Sequence, residues 1–133
     1  MNADTYHKSV AEYYDEEASS FESRANDNHV LKTLRDAFRT IVLDGEVESA
    51  LEIGYGPGLD MVWFAGNDRV AKIHGLDITP EFHAIVTKKA QKQSKMNPIL
   101  GGPEHCSKHF ESNSIGTIYV FFGALNTCAE LEK

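Results

Sequence analysis

The chain has 133 residues, of which 41% are hydrophobic and 25% charged, the composition of one soluble globular domain with a single core. Its 20 acidic and 13 basic residues leave a net charge of −7, which repels phosphate backbones and argues against nucleic-acid binding. No apolar run approaches the roughly 20 residues of a membrane span, the first residues lack the basic start and apolar stretch of a secretory signal, and Cys106 and Cys128 are the only cysteines, so a chain of the reducing cytoplasm without membrane contact is expected.

Ser9 to Phe21 carries Val10, Tyr13, Tyr14, Ala18 and Phe21 at near-helical spacing, with Asp15, Glu16 and Glu17 between them, and reads as a short amphipathic helix. Asn26-Asp27-Asn28 offers capping side chains before the apolar stripe Val30, Leu31, Leu34, Phe38, Ile41 and Val42, which predicts a second helix stopping near Gly45. Ala50-Leu51-Glu52-Ile53 then ends abruptly in three alternate glycines, as a buried parallel strand running into a loop would. A helix from Gly58 to about Ala65 follows, stopped by Gly66-Asn67-Asp68. Val70 to Leu76 is expected as the second strand, closed by Asp77. Thr79 is placed to cap the next helix and Pro80 suits its first turn, where a missing N–H costs nothing, so Glu81 to about Gln93 is expected to be helical. Lys88, Lys89, Lys92 and Lys95 read as the solvated side of that helix. Ile99-Leu100 is a short third strand, Glu104 to Ser114 has no clear period, and the uncharged run Thr117 to Phe122 is the clearest strand in the chain. The tail from Gly123 to Lys133 has room for one short helical turn. This order predicts an α/β fold with parallel strands joined by right-handed crossovers.

Gly54, Gly56 and Gly58 allow torsions and close approaches that a β-carbon blocks, so an anionic or zwitterionic ligand can lie against the N–H groups of their loop. A dinucleotide fingerprint requires glycine at the sixth position of G-x-G-x-x-G; Leu59 occupies it and the third glycine comes one residue early, which argues against a nicotinamide cofactor. The pattern is instead acid-x-Gly-x-Gly-x-Gly, with Glu52 two residues before the first glycine and Asp77 ending the next strand.

These residues resemble class I S-adenosylmethionine-dependent methyltransferases of the small-molecule type. The resemblance implies a Rossmann-like three-layer sandwich with a mostly parallel sheet, here a truncated core of strand order 3-2-1-4. Residues 1–133 would then form a single, incomplete cofactor-binding domain with residues 1–25 as its lid helix. It further implies S-adenosylmethionine as cofactor and S-adenosylhomocysteine as product. Glu52 would lie near the methionine amino group, Gly54, Tyr55, Gly56, Pro57 and Gly58 would back the methionine and ribose, and Asp77 would take both ribose hydroxyls. An ionised carboxylate has two acceptor oxygens for two such donors. Ala11 to Ala18 is similar to the family's lid helix, which brings Tyr14 toward ligand, and Phe121-Phe122-Gly123-Ala124-Leu125-Asn126 is similar to the end of its fourth strand, which brings Phe122. Ile78 and Glu104 complete the expected cofactor set. The plainer roles remain open: Glu52 as a strand acid paired with a lysine, Asp77 as a helix-capping acid, and Tyr13 and Tyr14 as core aromatics.

Several positions depart from the family pattern. Its acid just after the third strand meets the adenine amino group, whereas this chain reads Gly101-Gly102-Pro103-Glu104, leaving Glu104 to substitute from two residues along or adenine to be held by backbone and packing. Ile115-Gly116 replaces the usual Phe-Asp, and Tyr55 stands where a small residue is commoner, adding bulk beside the cofactor. His105, Cys106 and His109 have no partner pair with ligand spacing, so no metal is expected. The family's sheet has seven strands and this sequence ends just past the fourth, which predicts an exposed edge along Thr117 to Phe122 and a homodimer or higher oligomer through it. The expected function is methyl transfer to a small-molecule acceptor, with Tyr13, Tyr14 and Asn126 as candidate acceptor contacts and no evident base. The alternative is a truncated, catalytically inactive cofactor-binding or assembly module.

Overall fold

Two parallel neighbours in a sheet need a long crossover between them, and this chain fills its crossovers mostly with helix. The computed structural model describes residues 3–121, and within the first helix it leaves the side chains at 3, 14–17, 19–23, 25 and 26 outside the description. In chain order the elements are α1 (Ala3–Asp27), α2 (His29–Leu43), β1 (Ser49–Ile53), α3 (Leu59–Ala65), β2 (Lys72–Asp77), α4 (Pro80–Ala90), β3 (Met96–Leu100), a 3-10 turn (Pro103–His105), α5 (Cys106–His109) and β4 (Thr117–Val120). All the strand pairs are parallel and the sheet order is β3-β2-β1-β4, the α/β core expected from the sequence. No helix among the described residues is long and apolar enough to cross a membrane.

The two long N-terminal helices are separated by one residue. Asn28 adopts an extended conformation and its side-chain oxygen accepts from Leu31 N at 3.0 Å, which starts α2 as the capping pattern predicts. Helix α1 begins six residues before the expected Ser9 and runs past Phe21. Its early turns carry no apolar stripe, but Ser9 Oγ donates to Thr5 O at 3.1 Å and His7 is anchored on a distant loop, described below.

One face of the sheet carries most of the core. Ala50 and Ile73 from the strands pack with Val42 of α2, Met61 and Phe64 of α3 and Val86 of α4. The aromatic chain Phe64, Tyr119, Phe121 and Phe38 extends this layer across β4 to α2, with ring centroids 4.9–5.2 Å apart. The opposite face is thinner: Leu51, Ile53 and Leu76 are buried under Ile99, Phe110, Ile115 and Val120, while Ile118 stays 61% exposed.

Several boundaries differ from the sequence expectation for local reasons. Strand β2 begins at Lys72 because Ala71 N and Lys72 N both donate to Glu48 O, which leaves Val70 as a buried turn residue. Strand β3 is longer than expected and contains Pro98. It is an edge strand, its pairing with β2 is continuous from Ile73↔Met96 to Asp77↔Leu100, and a proline is tolerated there when the missing N–H faces outward. Helix α4 ends at Ala90, and Thr79 makes no side-chain cap; Asp77 Oδ1 accepts the Thr79 N–H at 2.9 Å instead. Two of the four lysines are not merely solvated, since Lys89 Nζ donates to Pro57 O at 2.8 Å and Lys95 Nζ to Asn67 O at 3.1 Å. At Gly116 a β-carbon would stand 2.5 Å from Glu46 O, a backbone atom that cannot step aside, so a larger residue does not fit there. Phe122, Asn126, Cys128 and the expected turn in the tail lie outside the described residues.

Candidate functional site

The carboxyl ends of the strands meet at the turn after β1. Gly54, Gly56 and Gly58 all lie in the left-handed region, with φ of 74°, 55° and 84°, so side-chain-bearing residues would be strained at each. Gly54 N donates to Leu76 O at 2.7 Å, tying the turn to β2, and the Lys89 bond to Pro57 O ties it to α4. A β-carbon on Gly58 would meet Val86 at 2.8 Å, so the far end of the turn is closed against the core. A β-carbon on Gly56 would meet nothing within 4 Å, which leaves open space over the middle of the turn.

Tyr55 corrects one expectation. Its side chain is buried with its ring over Gly75, and its hydroxyl lies 3.0 Å from His83 Nδ1 and donates to Ile99 O at 3.3 Å. Burial, and then the Asp77 charge, push the phenol far above its ordinary pKa. The bulk at this position therefore fills the core beneath the turn instead of crowding a ligand above it.

Glu52 and Asp77 stand on adjacent strands and on the same face, since Glu52 is opposite Gly75 and Asp77 lies two residues beyond it. Asp77 Oδ2 accepts from Gly56 N and Oδ1 from Thr79 N, each at 2.9 Å. The plainer capping role of Asp77 is thus partly realised, because it organises both the glycine turn and the start of α4. Burial raises its pKa, and those two N–H groups oppose the rise.

Glu52 is 2% exposed, and its Oε2 has no hydrogen-bond partner. Tyr119 Oη, across the β1–β4 register, is likewise buried without a partner in good geometry, although it is near enough to favour the Glu52 anion. Burial first, then the charge of Asp60, hold the Glu52 pKa well above the usual carboxylate range. Among the described residues no lysine pairs with it, and the cation whose charge partly offsets the rise is Arg35.

Asp60, in the first turn of α3, is the acid that does find cations. Arg39 Nε donates to its Oδ1 at 2.8 Å, Arg35 Nη1 bonds its Oδ2, and Arg39 also lies over the Trp63 ring at 5.0 Å. This buried network was missed in the sequence. Its signal was an i, i+4 arginine pair on the stripe-bearing helix α2, together with an acid two residues past the last glycine.

Beyond β3, the Glu104 carboxylate folds back to where a Gly102 side chain would begin. His7 Nδ1 of α1 meets Glu104 Oε1 at 3.0 Å. Ile78 lies half-buried between Asp77 and Thr79. Tyr13 is 60% exposed, and the Tyr14 side chain and Phe122 lie outside the described residues. Among the described residues no group of histidine, cysteine, aspartate and glutamate could hold a metal ion.

The site therefore combines a left-handed turn with room above it, an unpartnered buried acid, and a second acid already holding the turn in shape. Such a surface suits a ligand carrying a cation and hydroxyl donors. A family model described as a methyltransferase domain matches residues 51–133. Among solved structures, the fold is similar to a phosphoethanolamine N-methyltransferase of Haemonchus contortus in complex with phosphoethanolamine and S-adenosylhomocysteine, at a TM-score of 0.61 and 14% identity, covering 90% of this chain and 26% of that one. It is also similar to the cyclase SpnF, at a TM-score of 0.56 and 18% identity over 69% of this chain and 41% of that one. A third likeness is to DhpI in its SAM–HEP complex, at 0.55 and 16% over 71% and 42%. The chain thus spans less than half the length of each of these structures. No curated protein matches the sequence. At such identities the solved structures bear on the fold, while the family match covers more than half of the chain and takes in Glu52, the glycine turn and Asp77: the chain belongs to the methyltransferase domain family.

Proposed function

We propose that the chain binds S-adenosylmethionine across the carboxyl ends of β1 and β2 and transfers its methyl group to a small-molecule acceptor. One observation carries this: the unpartnered, buried Glu52 oxygen sits one strand from Asp77, at the foot of a turn with open space over Gly56. An α-ammonium group is the partner that Glu52 lacks. Asp77 holds the N–H groups of Gly56 and Thr79 and the Thr79 side chain, and a carboxylate with about four acceptor sites still has capacity for a ribose hydroxyl. The residues present therefore fit the cofactor. When bound, its sulfonium supplies an already activated methyl group. The protein's own part is to orient the ligand through Glu52, Asp77 and the turn, and to keep water from it.

The relatives solved with S-adenosylhomocysteine or SAM support this function. SpnF, by name a cyclase, favours a second possibility, a cradle that binds cofactor without transferring methyl, because one fold serves many chemistries. Release of labelled methyl to a panel of small acceptors separates the two.

Titration calorimetry tests the binding itself. A cation stabilises the ionised form of Glu52, whose pKa is raised, so binding should release a proton and affinity should rise with pH. The rise should begin above the ordinary carboxylate range and be read below the titration of the ligand's own α-amino group near about 8. Asp77→Ala should weaken binding by about 1–3 kcal/mol in a folded protein, the cost of a charge-assisted hydrogen bond. Unchanged affinity in that variant would remove the ribose assignment.

We also propose that two copies associate along β4. Among the described residues β4 pairs with β1 and no strand lies on its other side, and its Ile118 is exposed. Sedimentation velocity should show a dimer that Ile118→Lys dissociates. A wild-type monomer at tens of micromolar would overturn the proposal.

A further inference from the structure

His7 and Glu104 come from opposite ends of the described chain, one from the second turn of α1 and the other from the 3-10 turn that leaves β3. Their side chains are 14% and 3% exposed. A carboxylate only accepts hydrogen bonds, so in the neutral ring His7 Nδ1 carries the proton toward Glu104 and Nε2 is left as an acceptor. That Nε2 is buried and has no hydrogen-bond partner. An imidazole acceptor held in one tautomer and left unpaired inside a protein calls for an N–H or O–H donor.

The sheet order says which donor of a bound cofactor would reach it. Glu52 stands on β1, Asp77 on β2, and the segment carrying Glu104 leaves β3, the next strand on the side away from Glu52. Gly101 N donates to Asp77 O at 2.8 Å, which holds that segment beside the second acid. Neighbouring strands lie about 4.8 Å apart. On the proposed binding mode, with the ammonium at Glu52 and the ribose at Asp77, the base would fall on the β3 side, toward 101–104.

Resting on the cofactor binding proposed above, we infer that His7 Nε2 accepts from the exocyclic amino group of the adenine ring, with Glu104 as the positioning residue that fixes the tautomer. Base specificity is then supplied by α1, through the side chain that reaches Glu104, and not by a carboxylate on the loop after β3.

Calorimetry with S-adenosylhomocysteine and with S-inosylhomocysteine, whose ring carries an acceptor oxygen in place of the amino group, tests this in the intact chain. Wild type should prefer the adenosyl compound by about tenfold or more, and His7→Leu, which keeps the bulk and loses the acceptor, should bind both within about threefold. Equal binding of the two by wild type, or a preference that survives in folded His7→Leu, overturns the inference. If the variant fails to fold, ring ¹⁵N spectra of wild type decide: adding S-adenosylhomocysteine should shift the unprotonated Nε2 of His7, and an unmoved Nε2 with ligand bound overturns it. Failure of S-adenosylhomocysteine to bind wild type at all is a different result, which overturns the cofactor proposal and this inference together.

Discussion

Glu52→Gln is expected to make the protein more stable and a poorer binder. Glutamine keeps the shape of the side chain while removing a charge that lies 2% exposed with one oxygen unpartnered. An uncompensated buried ion costs several kcal/mol, part of which an amide still loses to imperfect hydrogen bonding, so a gain of about 2 kcal/mol at pH 7 is expected. The sign follows from the direction of the shift. The folded-state pKa of Glu52 is raised, so the native state binds more protons than the unfolded chain between the two pKa values. Wild-type stability from this group is fully present below the unfolded value of about 4.3 and is lost as pH rises toward the folded one. The advantage of the variant should therefore be small near pH 4 and widen toward pH 7. Urea midpoints of both proteins at these two pH values measure it, and a variant no more stable at pH 7 would mean that Glu52 is compensated in the apo protein. Affinity for S-adenosylmethionine should fall by tens-fold in the same variant, because the ammonium loses its charged acceptor.

Asp60→Ala should act in the opposite direction and lower stability by about 3 kcal/mol. Asp60 is 4% exposed and receives both Arg35 and Arg39, so its removal takes the shared buried anion from two guanidiniums, with Arg39 keeping a longer contact to Asp36 at 3.4 Å. Breaking a buried pair from one side costs about 3–5 kcal/mol. The lower figure is expected because both arginines keep 12–15% of their side-chain surface in contact with solvent and can swing outward. In a domain of this size the melting temperature should drop by roughly 10 °C. A fall of under about 1 kcal/mol would show that the ion network is ornamental to the packing of α2 on α3.

The parts of this site that could be read from the sequence are those encoded by neighbours in the chain. Glu52, the three glycines and Asp77 follow from strand ends and a short spacing, and all of them lie at the carboxyl end of the two central strands in the structure. Asp60 and its arginines are 21 and 25 residues apart, and no local period links them. His7 and Glu104 are farther apart still, and only the docking of α1 brings them together. Strand β3 was underestimated because Pro98 is a poor strand residue anywhere but an edge, and edge position is a property of the assembled sheet. The direction of Tyr55 was equally hidden, since its burial depends on the gap that Gly75 leaves on another strand.

The two borders of the sheet are chemically unequal, and this inequality would limit the size of the β4-mediated assembly proposed above. Pro98 deprives the β3 border of a donor, which discourages a further strand from docking there, whereas β4 offers an intact ladder. In the proposed pairing of β4 with β4 about a twofold axis, each copy would use the receptive border found among the described residues and turn the proline-bearing one outward. On that proposal polymerisation would be capped at the pair, and crowding the solution would fill dimers without seeding fibrils.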